Sequence, residues 1–241
     1  METAGYVSLS GQLALERRMT ALANNVANAG TTGYRAEGIH FRSLLSSVSR
    51  LPTAFSVIGE SHVVAESGGL SRTGNPLDVA VQGEGFMAVQ TPAGVVYTRD
   101  GRMQVLPSGD LVSLNGHPVL DVSGAPLTLD PAAGPPDIGR DGMITQHGRQ
   151  VGAIGLFSVD LDAPYQRYEN SGFIPQQPPE PIVSFATDGV VQGFAENSNV
   201  NPVLEMTNLI KVTRAFEALA SAMEQNDATQ KNAIQTLGAR S

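Results

Sequence analysis

Long helical patterning is confined to the two ends of this 241-residue chain, and the stretch between them switches to the short period and glycine-marked turns of β-structure. From Leu209 onward, Leu209, Val212, Phe216, Leu219, Met223, Ala233 and Leu237 fall on three- and four-residue steps, the seam of a coiled coil. Such a seam needs a partner helix. The only other long helical pattern lies at the N-terminus, where Leu15, Met19, Leu22 and Val26 share one narrow arc at about 100° per residue. The prediction is an α+β chain whose long N- and C-terminal helices form a coiled-coil-like pair around a central all-β domain of hairpins.

Local signals place the helix ends. The first helix is predicted from about Ala4 to Asn28, capped by Thr3 and stopped by Asn28, Ala29 and Gly30, residues that tolerate left-handed backbone. Tyr6, Leu9 and Leu13 form a second stripe about 140° from the first. Two apolar faces on one helix imply two sets of contacts. The second helix opens with Asn201 as N-cap, Pro202 at the first helical position and Glu205 complementing the dipole, and Gly238 can end it. Asn226 and Gln230 interrupt its seam, a pattern that sets register at a cost in stability. Gly5 and Gly11 weaken the first helix by about 1 kcal/mol each relative to Ala.

Between the helices, Gly94, Gly101, Gly109, Gly116 and Gly124 recur every seven or eight residues, several within turn pairs such as Asp100-Gly101, Ser108-Gly109 and Asn115-Gly116. The runs Val95–Thr98, Met103–Val105, Leu111–Leu114 and Pro118–Val122 read as short strands, and Val151–Val159 as one longer strand. Pro175–Pro181 reads as a loop or an extended edge. The predicted organisation is a discontinuous helical core from residues 1–35 and 200–241, an extended connector at 36–72, and a β-rich domain at 73–199.

Composition excludes several chemistries. A net charge of −8 argues against a nucleic-acid surface, which needs clustered Lys and Arg to meet phosphates. The chain has no cysteine, so disulfides, thiolate nucleophiles and Cys-ligated metals are ruled out. Its N-terminus carries Glu2, no basic run, and apolar residues broken by Ser8, Ser10, Gly11 and Gln12, unlike a cleaved secretory signal.

One motif invites an enzyme reading. Gly83-Glu84-Gly85-Phe86-Met87-Ala88 follows a strand-like run and matches a loose dinucleotide fingerprint. That motif must open a helix whose N-terminus faces the pyrophosphate, yet Phe86–Thr91 alternates as a strand does. The expectation is a glycine pair allowing close backbone approach or a bulge, with no cofactor. His40, His62, His117 and His147 lack ligand spacing and are expected to be exposed, and no catalytic or metal residue is assigned.

Three separate segments carry a resemblance. Ala23–Arg35 (ANNVANAGTTGYR), Ser198–Ile210 (SNVNPVLEMTNLI), and Gly74–Val89 (GNPLDVAVQGEGFMAV) followed by Tyr97–Gly101 (YTRDG) resemble, in order, the N-terminal, C-terminal and central signatures of the bacterial flagellar basal-body rod and hook protein family. The resemblance implies an axial subunit whose terminal helices form the inner core of a helical tube and whose β-rich domain forms the outer layer. It implies export through the flagellar type III apparatus without a cleaved signal peptide, and a place in the periplasm-spanning rod. The implied partners are other flagellar rod proteins and further copies of the chain, with no nucleic acid and no small-molecule substrate. By length the chain resembles the proximal rod subunit, with the distal rod subunit a close alternative.

The assembly interface is expected at Leu15, Met19, Leu22, Asn25, Val26, Asn28, Gly33, Tyr34, Leu209, Val212, Phe216, Leu219, Met223 and Leu237. Asn25 and Asn28 carry short amides able to bond backbone at the helix end, and Gly33 allows the turn that sends Tyr34 and Arg35 away from it. The alternatives are a secreted scaffold absent from the finished rod and an enzyme with a site on the β-domain loops.

Overall fold

Among the described residues two helices stand at the ends, α1 (Glu2–Ala27) and α2 (Pro202–Gly238), and the described residues between them are strand, turn or loop. The computed structural model describes residues 2–46 and 53–238, with side-chain surroundings for residues 7–40 and most of 61–238. The side chains of Tyr6, Gln230, Ala233 and Leu237 lie outside the described residues.

The predicted start of α2 is realised atom by atom. The Leu204 N–H donates to Asn201 Oδ1 at 3.2 Å, and the Glu205 N–H donates to the Asn201 carbonyl at 3.0 Å as the first helical bond. Pro202 opens the helix, where its missing N–H costs nothing. α1 begins two residues earlier than predicted and ends one residue earlier.

The chain forms two compact units, one of Met1–Ala27, Glu37–His62 and Asn201–Ser241, the other of Asn28–Ala36 and Val63–Val200. In the first, α1 and α2 pack on each other as expected from their seams. They run antiparallel: Gly11 faces Leu219, Met19 meets Thr213, and Asn25 meets Glu205. Between residues 36 and 72, read as a connector, the strands β1 (Glu37–Ser46) and β2 (Thr53–Val63) form a two-stranded sheet that completes this unit. At 1.5 Å per residue α2 is about 55 Å long against about 39 Å for α1, so its C-terminal turns run beyond α1.

The second unit is built from antiparallel hairpins. Its first strands are β3 (Leu70–Arg72), β4 (Val79–Gln82), β5 (Gly85–Thr91), β6 (Gly94–Thr98), β7 (Met103–Val105) and β8 (Leu111–Ser113). There follow β9 (Asp137–Ile138), β10 (Met143–Gln146), β11 (Arg149–Ala153), β12 (Leu156–Ser158), β13 (Tyr165–Tyr168) and β14 (Gly172–Pro175). The last are β15 (Glu180–Pro181), β16 (Gly189–Gln192) and β17 (Phe194–Glu196). The largest sheet has six strands in the order β13-β14-β6-β5-β12-β15. Smaller sheets pair β16 with β4, β17 with β3, β7 with β8, and β11 with β10 and β9.

Of the glycine-marked pairs read as turns, Ser108-Gly109 joins β7 to β8 and Asn115-Gly116 turns the chain after β8, whereas Asp100-Gly101 lies outside any turn, with the Gly101 carbonyl accepting the Val79 N–H. Pro118–Val122 is not a full strand but a series of single bridges, Val119 to Val89 and Leu120 to Pro126 among them. Val151–Val159 is not one strand either. It leaves β10 after Ala153, turns at Ile154-Gly155, and joins β5 from Leu156. Gly155 makes the switch: a Cβ there would sit 2.7 Å from the Asp121 carbonyl carbon, and its N–H donates to the Leu120 carbonyl. Pro175–Pro181, read as a loop or an extended edge, is a loop at residues 176–179 that ends in Glu180–Pro181, the outermost strand of the six-stranded sheet.

The apolar core of this unit gathers Val79, Met87, Leu111, Ile144, Leu156 and Val190 from six different strands. Burying each such side chain stabilises the fold by about 1.5–3 kcal/mol. A second, aromatic cluster sets Phe86 edge-on to Phe173, with ring centroids 5.9 Å apart.

Candidate assembly interface

The helix-pair unit is organised by small residues on α1. Gly11, Ala14, Ala21 and Asn25 lie in one arc; Ala14, Ala21 and Asn25 are buried, and a Cβ on Gly11 would stand only 3.3 Å from Leu219 Cδ2. Of the larger residues assigned to the seam, Leu22 and Val212 are buried. Leu15, Met19, Val26, Leu209, Phe216, Leu219 and Met223 are half-buried along its flanks. The sequence carried a signal for the small row, Ala14 and Ala21 seven residues apart, which a search for large apolar side chains overlooks.

Asn25 closes this unit. Its Nδ2 donates to the Glu37 carbonyl at 3.0 Å and to Glu205 Oε2 at 3.1 Å, and its Oδ1 accepts the Glu37 N–H at 2.9 Å. One buried amide thus ties α1 to the start of β1 and to the first turn of α2.

Apolar surface remains uncovered on both helices. Leu9 and Leu13, the second stripe of α1, are 48% and 46% exposed, and Val203, Met206 and Ile210 on α2 are 74%, 51% and 55% exposed. Because the helices are antiparallel, the two patches lie at opposite ends of the pair. Arg17, Arg18, Lys211, Arg214, Glu217 and Glu224 are also exposed on these helices, giving the pair a mixed-charge surface.

The other expected residues occupy the β-rich unit. Asn28 accepts from Thr31, its carbonyl taking the N–H at 3.0 Å and its Oδ1 the hydroxyl at 3.1 Å. Gly33 adopts φ +69, and a Cβ on it would meet the Asp100 nitrogen at 2.4 Å. Tyr34 is buried, with the Arg167 guanidinium 5.0 Å from its ring centre. Gly33 and Tyr34 therefore make their contacts inside one subunit.

Beside them lies a cluster that sequence reading missed. Arg35 NH2 pairs with Glu196 Oε1 at 3.0 Å and Arg99 NH1 with Glu196 Oε2 at 3.2 Å, all three side chains at most 2% exposed. Arg35 also donates to the Ala65 and Glu66 carbonyls, and Arg99 donates to the Gly83 carbonyl at 2.6 Å while stacking over Phe86 at 4.8 Å. Burial draws Arg35 down to about 10 while Glu196 raises it and Arg99 lowers it further; Arg99 too is lowered by burial, against Glu196. Arg35 ends the first signature segment, Arg99 sits in the YTRDG segment, and Glu196 stands two residues before the last, so the three meet at one buried carboxylate.

The Gly83-Glu84-Gly85 segment joins β4 to β5 with no helix, as expected. The Asp188 carboxylate fills the place a Gly83 side chain would need and accepts the Glu84 N–H at 2.7 Å. That bond holds the Asp188 carboxyl below the usual aspartate range. Of the histidines, His40 and His147 are exposed, whereas His62 stacks on His40 at 3.9 Å and His117 reaches Glu169 at 3.2 Å, both half-buried. Among the described residues no group of three or more His, Asp or Glu could hold a metal, and no helix is long and apolar enough to cross a membrane.

Comparison with known proteins gives three consecutive family matches. Residues 6–35 match the flagella basal body rod protein family, residues 80–146 the flagellar hook protein FlgE/F/G D1 domain, and residues 191–236 the flagellar basal body rod FlgEFG protein C-terminal family. Over the full length of both chains the sequence is 48% identical to the flagellar basal-body rod protein FlgF of Mesorhizobium japonicum. It is 41% identical to FlgF of Rhizobium meliloti over 99% of each chain. To the flagellar basal-body rod protein FlgG of Buchnera aphidicola subsp. Schizaphis graminum it is 30% identical, over 92% of this chain and 95% of that one. The similarity thus runs more strongly to these FlgF proteins than to this FlgG, in line with the length-based reading.

Proposed function

This chain belongs to the flagellar basal-body rod protein family, and from that premise we propose that its helix pair joins it to other rod proteins and to further copies of itself in a helical tube. It is a structural, non-enzymatic subunit of the basal-body rod, of the FlgF kind. The observation that carries the assembly reading is the pair of uncovered apolar patches, Leu9 with Leu13 and Val203 with Met206 and Ile210. They differ in sequence and lie at opposite ends of the antiparallel pair. Patches that are not self-complementary favour head-to-tail contact, and repetition with a rotation that does not close generates a helix rather than a ring.

In this reading Leu15, Met19, Leu22 and Val26 on α1, with Leu209, Val212, Phe216, Leu219 and Met223 on α2, hold the subunit's own pair together. The exposed stripes face its neighbours. Torque passes from motor towards hook and filament through many modest contacts. Export through the flagellar type III apparatus, which the family resemblance implies, completes this reading.

The test is a double substitution on the exposed stripe, Val203→Asp with Ile210→Asp. Both side chains face solvent, so the purified subunit should keep its circular dichroism and unfolding midpoint. In cells lacking the native copy, the variant should be missing from isolated basal bodies and swimming should be lost. Incorporation and swimming at the native level would overturn the proposal.

A further inference from the structure

We infer that residues 194–200 form a strap, locked by Glu196, that closes and opens as one cooperative step beneath global unfolding. When open, it releases residues 31–36 and 64–69 together. The inference concerns the β-rich unit alone and stands apart from the assembly reading.

The strap is held mainly through polar groups. β17 pairs with β3, the Gly33 N–H donates to the Glu196 carbonyl at 2.8 Å, and the Asn197 N–H donates to the Gly69 carbonyl at 2.9 Å. Asn199 extends the grip, its Oδ1 accepting the Ala36 N–H at 2.7 Å and its Nδ2 donating to the Glu66 carbonyl at 2.8 Å. None of residues 31–36, 64–69 or 194–200 belongs to the main apolar core. A region with few apolar contacts and many backbone bonds opens at lower free energy than the core beside it.

Electrostatics makes the opening all-or-none. Two buried guanidinium groups share one carboxylate, and Glu196 Oε1 also accepts the Gly68 N–H at 3.1 Å. If Glu196 leaves, Arg35 and Arg99 remain as like charges without the carboxylate they share, a strongly unfavourable state in a buried site that Asp188 and Glu84 offset for Arg99 only in part. Arg99 is anchored from the core side by Val81 and Gly83, so Arg35 is the group that must move out to water, taking the Ala65–Ser67 segment with it. The strap lies close against residues 64–69: a Cβ on Gly68 would stand 1.9 Å from the Asn197 carbonyl oxygen.

Native-state hydrogen exchange on the full chain, across denaturant concentrations below the unfolding transition, tests this. The amides of Gly33, Ala36, Gly68 and Asn197 should merge onto one opening isotherm lying below that of Leu111, Val119 and Val190. In Glu196→Gln, which keeps shape and acceptor but removes the charge, the four strap amides should exchange faster together by about a hundredfold or more, with the core amides unchanged to within about threefold. Strap amides that exchange only with the core, or that respond one at a time, would overturn the inference. If Glu196→Gln does not fold, the wild-type isotherms decide the matter alone.

Discussion

Asn25 and Glu37 exchange both hydrogen bonds of a β-ladder pair, although one partner is a side chain: Asn25 Nδ2 donates to the Glu37 carbonyl at 3.0 Å and Asn25 Oδ1 accepts the Glu37 N–H at 2.9 Å. The same amide donates to Glu205. Asn25→Ala leaves a buried N–H, a carbonyl and a carboxylate without that partner, at about 1–3 kcal/mol for each group that water cannot reach. The expected result is a helix-pair unit less stable by about 2–4 kcal/mol, read as faster exchange of the Glu37 amide and a lower helical denaturation midpoint. Asn25→Asp should be no better, because its new charge faces the Glu205 carboxylate.

Gly33→Ala should destabilise the β-rich unit. The position combines φ +69 with a Cβ site 2.4 Å from the Asp100 nitrogen and 2.6 Å from the Arg99 carbonyl carbon. Left-handed backbone costs a non-glycine residue about 1 kcal/mol or more, and the clash adds to it because backbone cannot rotate aside. Urea unfolding followed by tyrosine near-ultraviolet dichroism should show a lower midpoint than wild type. An unchanged midpoint would show that the loop relaxes freely.

Gly11→Ala should act in the opposite direction. Glycine within α1 costs about 1 kcal/mol relative to alanine, and the new methyl meets only the end of Leu219 at 3.3 Å, a flexible and half-buried side chain. A gain of about 0.5–1 kcal/mol in the stability of the helix pair is expected. Gly11→Leu should lose stability, since a branched side chain at that point pushes the helices apart.

Acid should expose the contribution of Asp188. Its carboxyl sits below the ordinary value of 3.8, chiefly because it accepts the Glu84 N–H, with Thr187, Gly85 and Arg99 adding to the effect against desolvation. A lowered folded-state value means the stabilisation is fully present above the unfolded-state value and is lost as pH falls through the folded one. Wild-type stability should therefore decline below about pH 4 more steeply than that of Asp188→Asn, which carries no such group. Parallel stability curves for the two proteins between about pH 5 and pH 2.5 would remove the assignment.

How much of this was legible beforehand follows from how local each determinant is. The cap at Asn201, the proline after it, the apolar stripes of both helices and the turn pairs at Ser108-Gly109 and Asn115-Gly116 are properties of a few neighbouring residues, and each was read from its own segment. The break inside Val151–Val159 was not, because the reason for it is the Asp121 carbonyl lying against Gly155. Nor was the small-residue face of α1, since a helix presents several stripes and only the partner selects which one is buried.

By itself, the order of residues determined that helices stand at the two ends, that hairpins lie between them, and that three signature segments mark a rod-family chain. Only the tertiary structure decided that Arg35 and Arg99 share Glu196, that Gly33 and Tyr34 turn inward, and that Leu9, Leu13, Val203 and Ile210 stay outside. Hydrogen bonding along a turn or a helix acts over a few residues and leaves its mark in the local sequence. Desolvation acts through whatever the fold brings near, and residues far apart in the chain carry no sign of that meeting until the chain has closed around them.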